Sequence, residues 1–225
     1  MLAREDAGAN EIIAKGGIND IKEILKEEVK NDEIKLTITR IIASLAKNSS
    51  KRAQLVYSQI GPTIIAELIS SPNESISTAA ALIVQNMIYS ITDLENKRKT
   101  VKKQVNEIYD FSREVQDYID EIFRSIVMLI MDPKCSGYGR DNCIDLCLKF
   151  VDRAQGCGWT TRFVVFGIPK LLRVASTVPD LNLPNSLPLT EHTKMHVACC
   201  LSTIYDDTYS DAEKQSFQDV CNQFV

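Results

Sequence analysis

The sequence predicts an all-α fold of the helical solenoid class, and three observations carry that reading. Three times a glycine is followed at offsets of four, seven and eight by apolar residues: Gly17 by Ile21, Ile24 and Leu25; Gly61 by Ile65, Leu68 and Ile69; Gly167 by Leu171, Val174 and Ala175. The first two copies, Gly17 and Gly61, stand 44 residues apart, a period at which stacked repeats of the HEAT and armadillo type bury their apolar faces on one another. Long Ile, Leu and Ala tracts run without the regular alternation of strands. The expected architecture is an armadillo/HEAT-like helical solenoid with an irregular long-helix middle, residues 1–225 forming one domain. A scaffold of this kind works through a long surface, so binding features carry more weight than catalytic ones.

The elements follow in order. Residues 4–15 form a short helix that meets Gly16-Gly17, where a positive φ ends the helix and turns the chain. A second helix covers 18–28. Asn31-Asp32 offers an N-cap for a third, in which Ile34, Ile38, Ile41, Ile42 and Leu45 recur at helical spacing. These three make a first repeat at about 4–47. The second, at about 50–91, repeats the order: a helix over 51–60, Pro62 in the first turn of the next, and a break at Ser71-Pro72-Asn73 before a long helix from 74 to about 91. Its inner face is Ile76, Ala80, Ile83, Val84 and Met87, with the small run Ala79 to Ala81 permitting close helix contact. The sequons at Asn48 and Asn73 read as turn and cap residues.

The pattern changes after Thr92. Gly61 and Gly167 are 106 residues apart, more than two periods, so an irregular repeat at about 94–155 is expected, with an enlarged helix near 100–131 that ends at Asp132-Pro133. A loop through Gly137 and Gly139 precedes a helix starting near Arg140 or Asp141. The last regular unit, 159–207, turns at Gly167, with a helix over 168–176. The three prolines Pro179, Pro184 and Pro188 then forbid regular helix. Thr190 caps a helix to about 206, and a terminal helix occupies 210–224.

Composition narrows the function. A net charge of −4 argues against a general phosphate-binding surface, so no nucleic-acid partner is expected. No stretch reaches the roughly 20 apolar residues that span a bilayer, and residues 1–11 lack an apolar signal core. Seven cysteines, an odd number, suit reduced thiols better than a disulfide framework. No membrane partner and a cytoplasmic location are expected.

Rival chemical readings are few. His192, His196 and Cys199 stand at i, i+4 and i+7 beside Cys200, a spacing that could hold zinc and would support a metal-dependent enzyme. No fourth ligand is evident and Val197, Leu201 and Ile204 form a separate apolar face, so packing is the expectation there. Cys143 and Cys147 read as buried thiols. Ser136-Gly137-Tyr138-Gly139 lacks the strand and leading glycine of a nucleophile elbow, and Gly156-Cys157-Gly158-Trp159 has no histidine placed to activate it. Neither catalysis, a cofactor nor a metal is expected. Two features could bind a partner: the basic cluster Lys97, Arg98, Lys99, Lys102 and Lys103, suited to an acidic protein surface, and the extended apolar strip Leu181, Leu183, Leu187 and Leu189.

Three segments carry a family resemblance: the opening Leu2-Ala3-Arg4-Glu5-Asp6-Ala7-Gly8-Ala9, Gly139-Arg140-Asp141-Asn142 before an apolar helix, and Tyr205-Asp206-Asp207 followed by Asp211-Ala212-Glu213. In order and spacing they resemble the central armadillo domain of the UCS-family myosin chaperones, over residues 2–225. The resemblance implies a piece of a larger co-chaperone, in which a TPR domain docks the ninety-kilodalton heat-shock chaperone and a UCS domain engages the myosin heavy-chain motor domain; neither domain is in this chain. It implies a role in muscle, with sarcomeric association, and no catalytic residues. The alternative is a generic armadillo adaptor that binds an extended peptide. Such an adaptor would show a ladder of Asn and Trp on successive third helices, and the single Trp159 stands outside one.

Overall fold

The computed structural model describes residues 6–26, 31–102, 113–132, 134–154, 164, 167, 169, 171, 191–207 and 211–223. Among these every regular element is a helix. The chain divides into two compact units, Met1–Ile122 and Phe123–Val225.

The first unit opens with α1 (Asp6–Ala14), α2 (Gly17–Lys26) and α3 (Asp32–Leu45). Gly16 takes a φ of 80°, the left-handed conformation that reverses the chain between α1 and α2. Asn31 caps α3 by accepting from the amides of Glu33 and Ile34. The second turn of the pattern is α4 (Ser50–Ile60), α5 (Pro62–Ile69) and α6 (Glu74–Lys102). Asn48, at a φ of 62°, makes the tight turn before Ser49, whose hydroxyl accepts from the Arg52 amide. Gly61 at 89° breaks α4 from α5, and Pro62 stands at the start of α5, where its missing N–H costs nothing. Asn73 caps α6. The two sequons are therefore turn and cap residues.

The core of this unit lies between α3, α5 and α6. The expected inner face of α6, Ile76, Ala80, Ile83, Val84 and Met87, is buried throughout, as are Ala79 and Ala81. Helices α3 and α6 pack side by side and run parallel: Asn73 donates to Asp32 at their starts, Asn86 to the Ala43 carbonyl and Ser90 to the Ala46 carbonyl towards their ends. This is the stacking of one repeat's third helix on the next.

Three sequence expectations are corrected here. Ile24 is 42% exposed, because α2 turns the stripe Ile18, Ile21 and Leu25 inward and Ile24 lies about 60° beyond its edge at Ile21. Ile34 is 49% exposed; it falls in the first turn of α3. Helix α6 runs past residue 91 to Lys102, since the charged segment after Thr92 contains good helix formers and neither Gly nor Pro. The next described helix is α7 (Arg113–Ile130), residues 103–112 of the expected enlarged helix lying outside the described residues.

In the second unit α7 ends before Asp132 and α8 (Gly137–Ala154) begins at Gly137, earlier than Arg140. The hydroxyl of Ser136 accepts from the Gly139 amide at 3.0 Å and its carbonyl from the Arg140 amide, so a cap starts α8 despite two glycines in its first turn. Phe123 of α7 meets Phe150 of α8 with ring centroids 5.1 Å apart. Gly167 is a turn and Leu171 is buried and helical, the remainder of 168–176 and the proline segment lying outside the described residues. Helices α9 (Glu191–Asp207) and α10 (Asp211–Asn222) complete the unit. Helix α9 packs on α8 through Val197, Cys200 and Ile204, and Tyr205 of α9 meets Phe217 of α10 edge-on.

Candidate functional site

The described residues with the densest polar geometry seal helix ends. The last carbonyls of α3 lack intrahelical partners by construction, and each is met by a named donor. Ile42 and Ser44 accept from the Ala46 and Lys47 amides, Ala43 from Asn86 at 2.7 Å and Ala46 from Ser90 at 3.0 Å. Leu45 accepts from Arg52 Nε at 3.2 Å, and Lys47 from Arg52 Nη2 at 2.6 Å. The same guanidinium reaches Asn10 Oδ1 at 3.1 Å and Asp6 Oδ1 at 2.6 Å on α1. One buried arginine of α4 thus joins α1, the end of α3 and its own helix.

The second unit repeats the device. Buried Arg140, at the start of α8, donates from Nε to the carbonyl of Ile130, the last residue of α7, at 3.1 Å. Burial pulls Arg140 below its ordinary value, and from so high a starting point the guanidinium stays charged. The end of α5 is closed by Ser77, whose hydroxyl donates to the Ile69 carbonyl at 2.7 Å. Neither arginine was singled out from the sequence as a cap. Both stand shortly after a helix end and within the first turn of the next helix, and that position is the only available signal.

The expected binding residues are placed in part. Lys97, Arg98, Lys99 and Lys102 fall on the backbone of α6; their side chains, and Lys103 altogether, lie outside the described residues. So do Leu181, Leu183, Leu187 and Leu189, and the segment from Gly156 to Trp159. The outer face of α6 carries exposed Ser75, Thr78 and Leu82, while the Asn86 amide, the nearest approach to an adaptor's Asn ladder, is taken by the Ala43 carbonyl.

Of the rival metal cluster, two of the three candidate ligands are described. His196 pairs through Nδ1 with Asp145 on α8, Cys199 faces solvent, and Cys200 points inward to the Ile144 carbonyl; the His192 side chain lies outside the described residues. Among the described residues no three His, Cys, Asp or Glu side chains come close enough to hold an ion. Ser136, the would-be nucleophile, is a cap. No described helix is long and apolar enough to cross a membrane.

Cys135, Cys143, Cys147 and Cys200 are buried. The Cys143 thiol is pushed up by its hydrogen bond with Cys135 and by burial, Cys147 by burial, and Cys200 by burial to about 12. At pH 8 Cys200 therefore carries roughly a thousandfold less thiolate than an ordinary thiol. Iodoacetamide at that pH is expected to modify exposed Cys199 while Cys143, Cys147 and Cys200 resist until the chain unfolds, as peptide mass spectrometry would show. Because the folded Cys200 holds its proton to higher pH than the unfolded one, its contribution to stability is complete below about pH 9 and falls as pH rises from about 9 towards 12. Urea midpoints are expected to fall across that window, and less steeply in Cys200→Ala.

Comparison with known proteins adds what the geometry alone lacks. No family model matches the chain. Protein unc-45 homolog B of Xenopus laevis is 28% identical over 229 aligned residues, which cover 100% of this chain and 24% of that protein. The human homolog B is 29% identical over the same span. The whole chain matches the UNC-45 proteins. Among solved structures, UNC-45 from Drosophila melanogaster superposes with a TM-score of 0.78 at 24% identity, covering 99% of this chain and 28% of that one. The myosin chaperone UNC-45 from C. elegans, solved with an Hsp70 peptide, superposes at 0.72 with 22% identity, covering 97% and 24%. A designed armadillo repeat protein bound to a (KR)4 peptide reaches 0.53 at 12% identity, covering 99% and 79%. The fold is therefore all-α and armadillo-like, and the UNC-45 match runs the length of the chain, as the resemblance of residues 2–225 implies. The chain spans about a quarter of the length of these UNC-45 relatives.

Proposed function

We propose that this chain is the central armadillo segment of a UCS-type myosin co-chaperone, a scaffold that assists folding and assembly of myosin motor domains together with the ninety-kilodalton heat-shock chaperone. The observation that carries the reading is the end-to-end match to UNC-45 proteins, one of which is named a myosin chaperone. The sealed helix ends support it, because a spacer between two binding modules must hold its length. Fixing their separation raises the effective concentration of one partner near the other without new chemistry, so no residue of this chain is assigned a catalytic role. The setting is the cytoplasm, with access to the sarcomere in muscle.

Contact with the motor domain is assigned to the basic residues Lys97, Arg98, Lys99, Lys102 and Lys103 and to the strip Leu181, Leu183, Leu187 and Leu189. Calorimetric titration of the purified chain with a myosin motor domain tests this. Binding is expected at low salt, with affinity lost when the five basic residues are changed to Glu, since rim charges act through steering and weaken with ionic strength. Equal affinity of the wild-type and charge-reversed chains would remove the assignment.

A further inference from the structure

We infer that α1 is a strap held to the first unit by an ionic latch, and that it opens on its own while α3 to α6 stay folded. Three observations combine. First, α1 is poorly anchored by apolar burial: its buried residues are only Gly8 and Ala9, whereas Ile12 and Ile13 are half-buried. Elements with few buried apolar contacts lie at the low end of local stability.

Second, its polar fastening is separable from the body. Of the four acceptors around Arg52, Asp6 Oδ1 and Asn10 Oδ1 belong to α1, while the carbonyls of Leu45 and Lys47 belong to the end of α3. When α1 leaves, the guanidinium keeps its two carbonyls and water replaces the other two partners. The Asp6 side chain is 62% exposed, so salt weakens the latch without reaching the carbonyl bonds beneath it.

Third, the geometry at the base of the strap is that of a hinge. Gly16 sits at a φ of 80° with nothing within 4 Å of where a Cβ would stand. Gly17, the first residue of α2, is the opposite case: a Cβ there would stand 2.7 Å from Ile12 Cγ2 and 3.0 Å from the Ile12 carbonyl oxygen. Its conformation is accessible to alanine, so Gly17→Ala acts as a wedge that moves α1 away from α2 by contact rather than by charge.

Hydrogen–deuterium exchange on the whole chain tests the strap through the hydrogen-bonded amides of residues 10–14, with those of α3 and α4 as the internal reference. The amides of α1 are expected to exchange at least about tenfold faster than the reference, and faster still on raising NaCl. Asp6→Ala is expected to accelerate them about three- to tenfold, the loss of one partly exposed charge-assisted bond, and to reduce the salt response to what the exposed Glu11–Lys15 pair supplies. Gly17→Ala is expected to accelerate them and leave the salt response in place. Exchange of α1 at the rate of α3 and α4, acceleration of α3 and α4 as large as that of α1, or either variant leaving α1 unchanged would overturn the inference.

Discussion

Replacing Leu68 by Asp unfolds the first unit, whereas the same charge at Ile24 leaves it folded. The two residues occupy the same offset after Gly61 and Gly17, and the sequence pattern treats them alike. Leu68 is 2% exposed on α5, which packs against both α4 and α6. A carboxylate there loses its hydration, a cost of about 4 kcal/mol or more. Stabilities of single domains are about 5–15 kcal/mol, so the cooperative transition is largely lost. Ile24→Asp changes a solvent-facing position next to Glu23 and Lys26 and is expected to shift stability by about 0.5 kcal/mol. Urea melts of the two variants side by side, read by circular dichroism, check both outcomes.

The second large effect is expected at Arg52. Its removal leaves the Leu45 carbonyl, at the end of α3, without its donor in a buried setting, and the Lys47 carbonyl just beyond it without one in a part-buried setting. An unsatisfied buried acceptor costs about 1–3 kcal/mol, and the lost pair with Asp6 adds less because that carboxylate is mostly exposed. Arg52→Ala is therefore expected to destabilise the first unit by about 3 kcal/mol. Arg52→Lys should recover only part of this, since one ammonium cannot span two carbonyls and α1 as a planar fork does. Arg140→Ala is expected to act in the second unit alone, by a smaller amount, having one such carbonyl bond to Ile130. Chemical denaturation of the three variants, with the slope compared to wild type, separates loss of stability from a changed native state.

The contrast between these residues shows what the sequence could carry. Helix starts were legible where one side chain decides them locally: Asn31, Pro62 and Asn73 each act within three residues of themselves. The buried stripe of α6 was legible because five apolar residues repeat at helical spacing. Ile24 was not, because helical spacing fixes which residues share a face and leaves open how far the neighbours cover it. The length of α6 was hidden by a change from apolar to charged composition, which alters the surface without breaking a helix. Arg52 and Arg140 were hidden for a stronger reason. An arginine in a sequence reads as a solvated charge, and only tertiary structure brings a preceding helix end onto its guanidinium. Ser136, read from the sequence as lacking the context of a catalytic turn, has its capping role fixed only by the start of α8.

The proposed binding surface was legible only as residue types, a basic run and a leucine strip, because an armadillo scaffold concentrates no chemistry in one pocket. At the spacing His192, His196 and Cys199, read from the sequence as packing, His196 pairs with Asp145 and Cys199 faces outward.

The central claim, that this chain acts on myosin as part of a co-chaperone, is tested most directly by heat-induced aggregation of a myosin motor domain, followed by light scattering, with and without the purified 225-residue chain and with no other chaperone or nucleotide. The account predicts that aggregation is suppressed as the chain approaches equimolar amounts, and that Leu68→Asp, which lacks the folded first unit, gives no protection. Aggregation proceeding identically with and without the folded wild-type chain would contradict it.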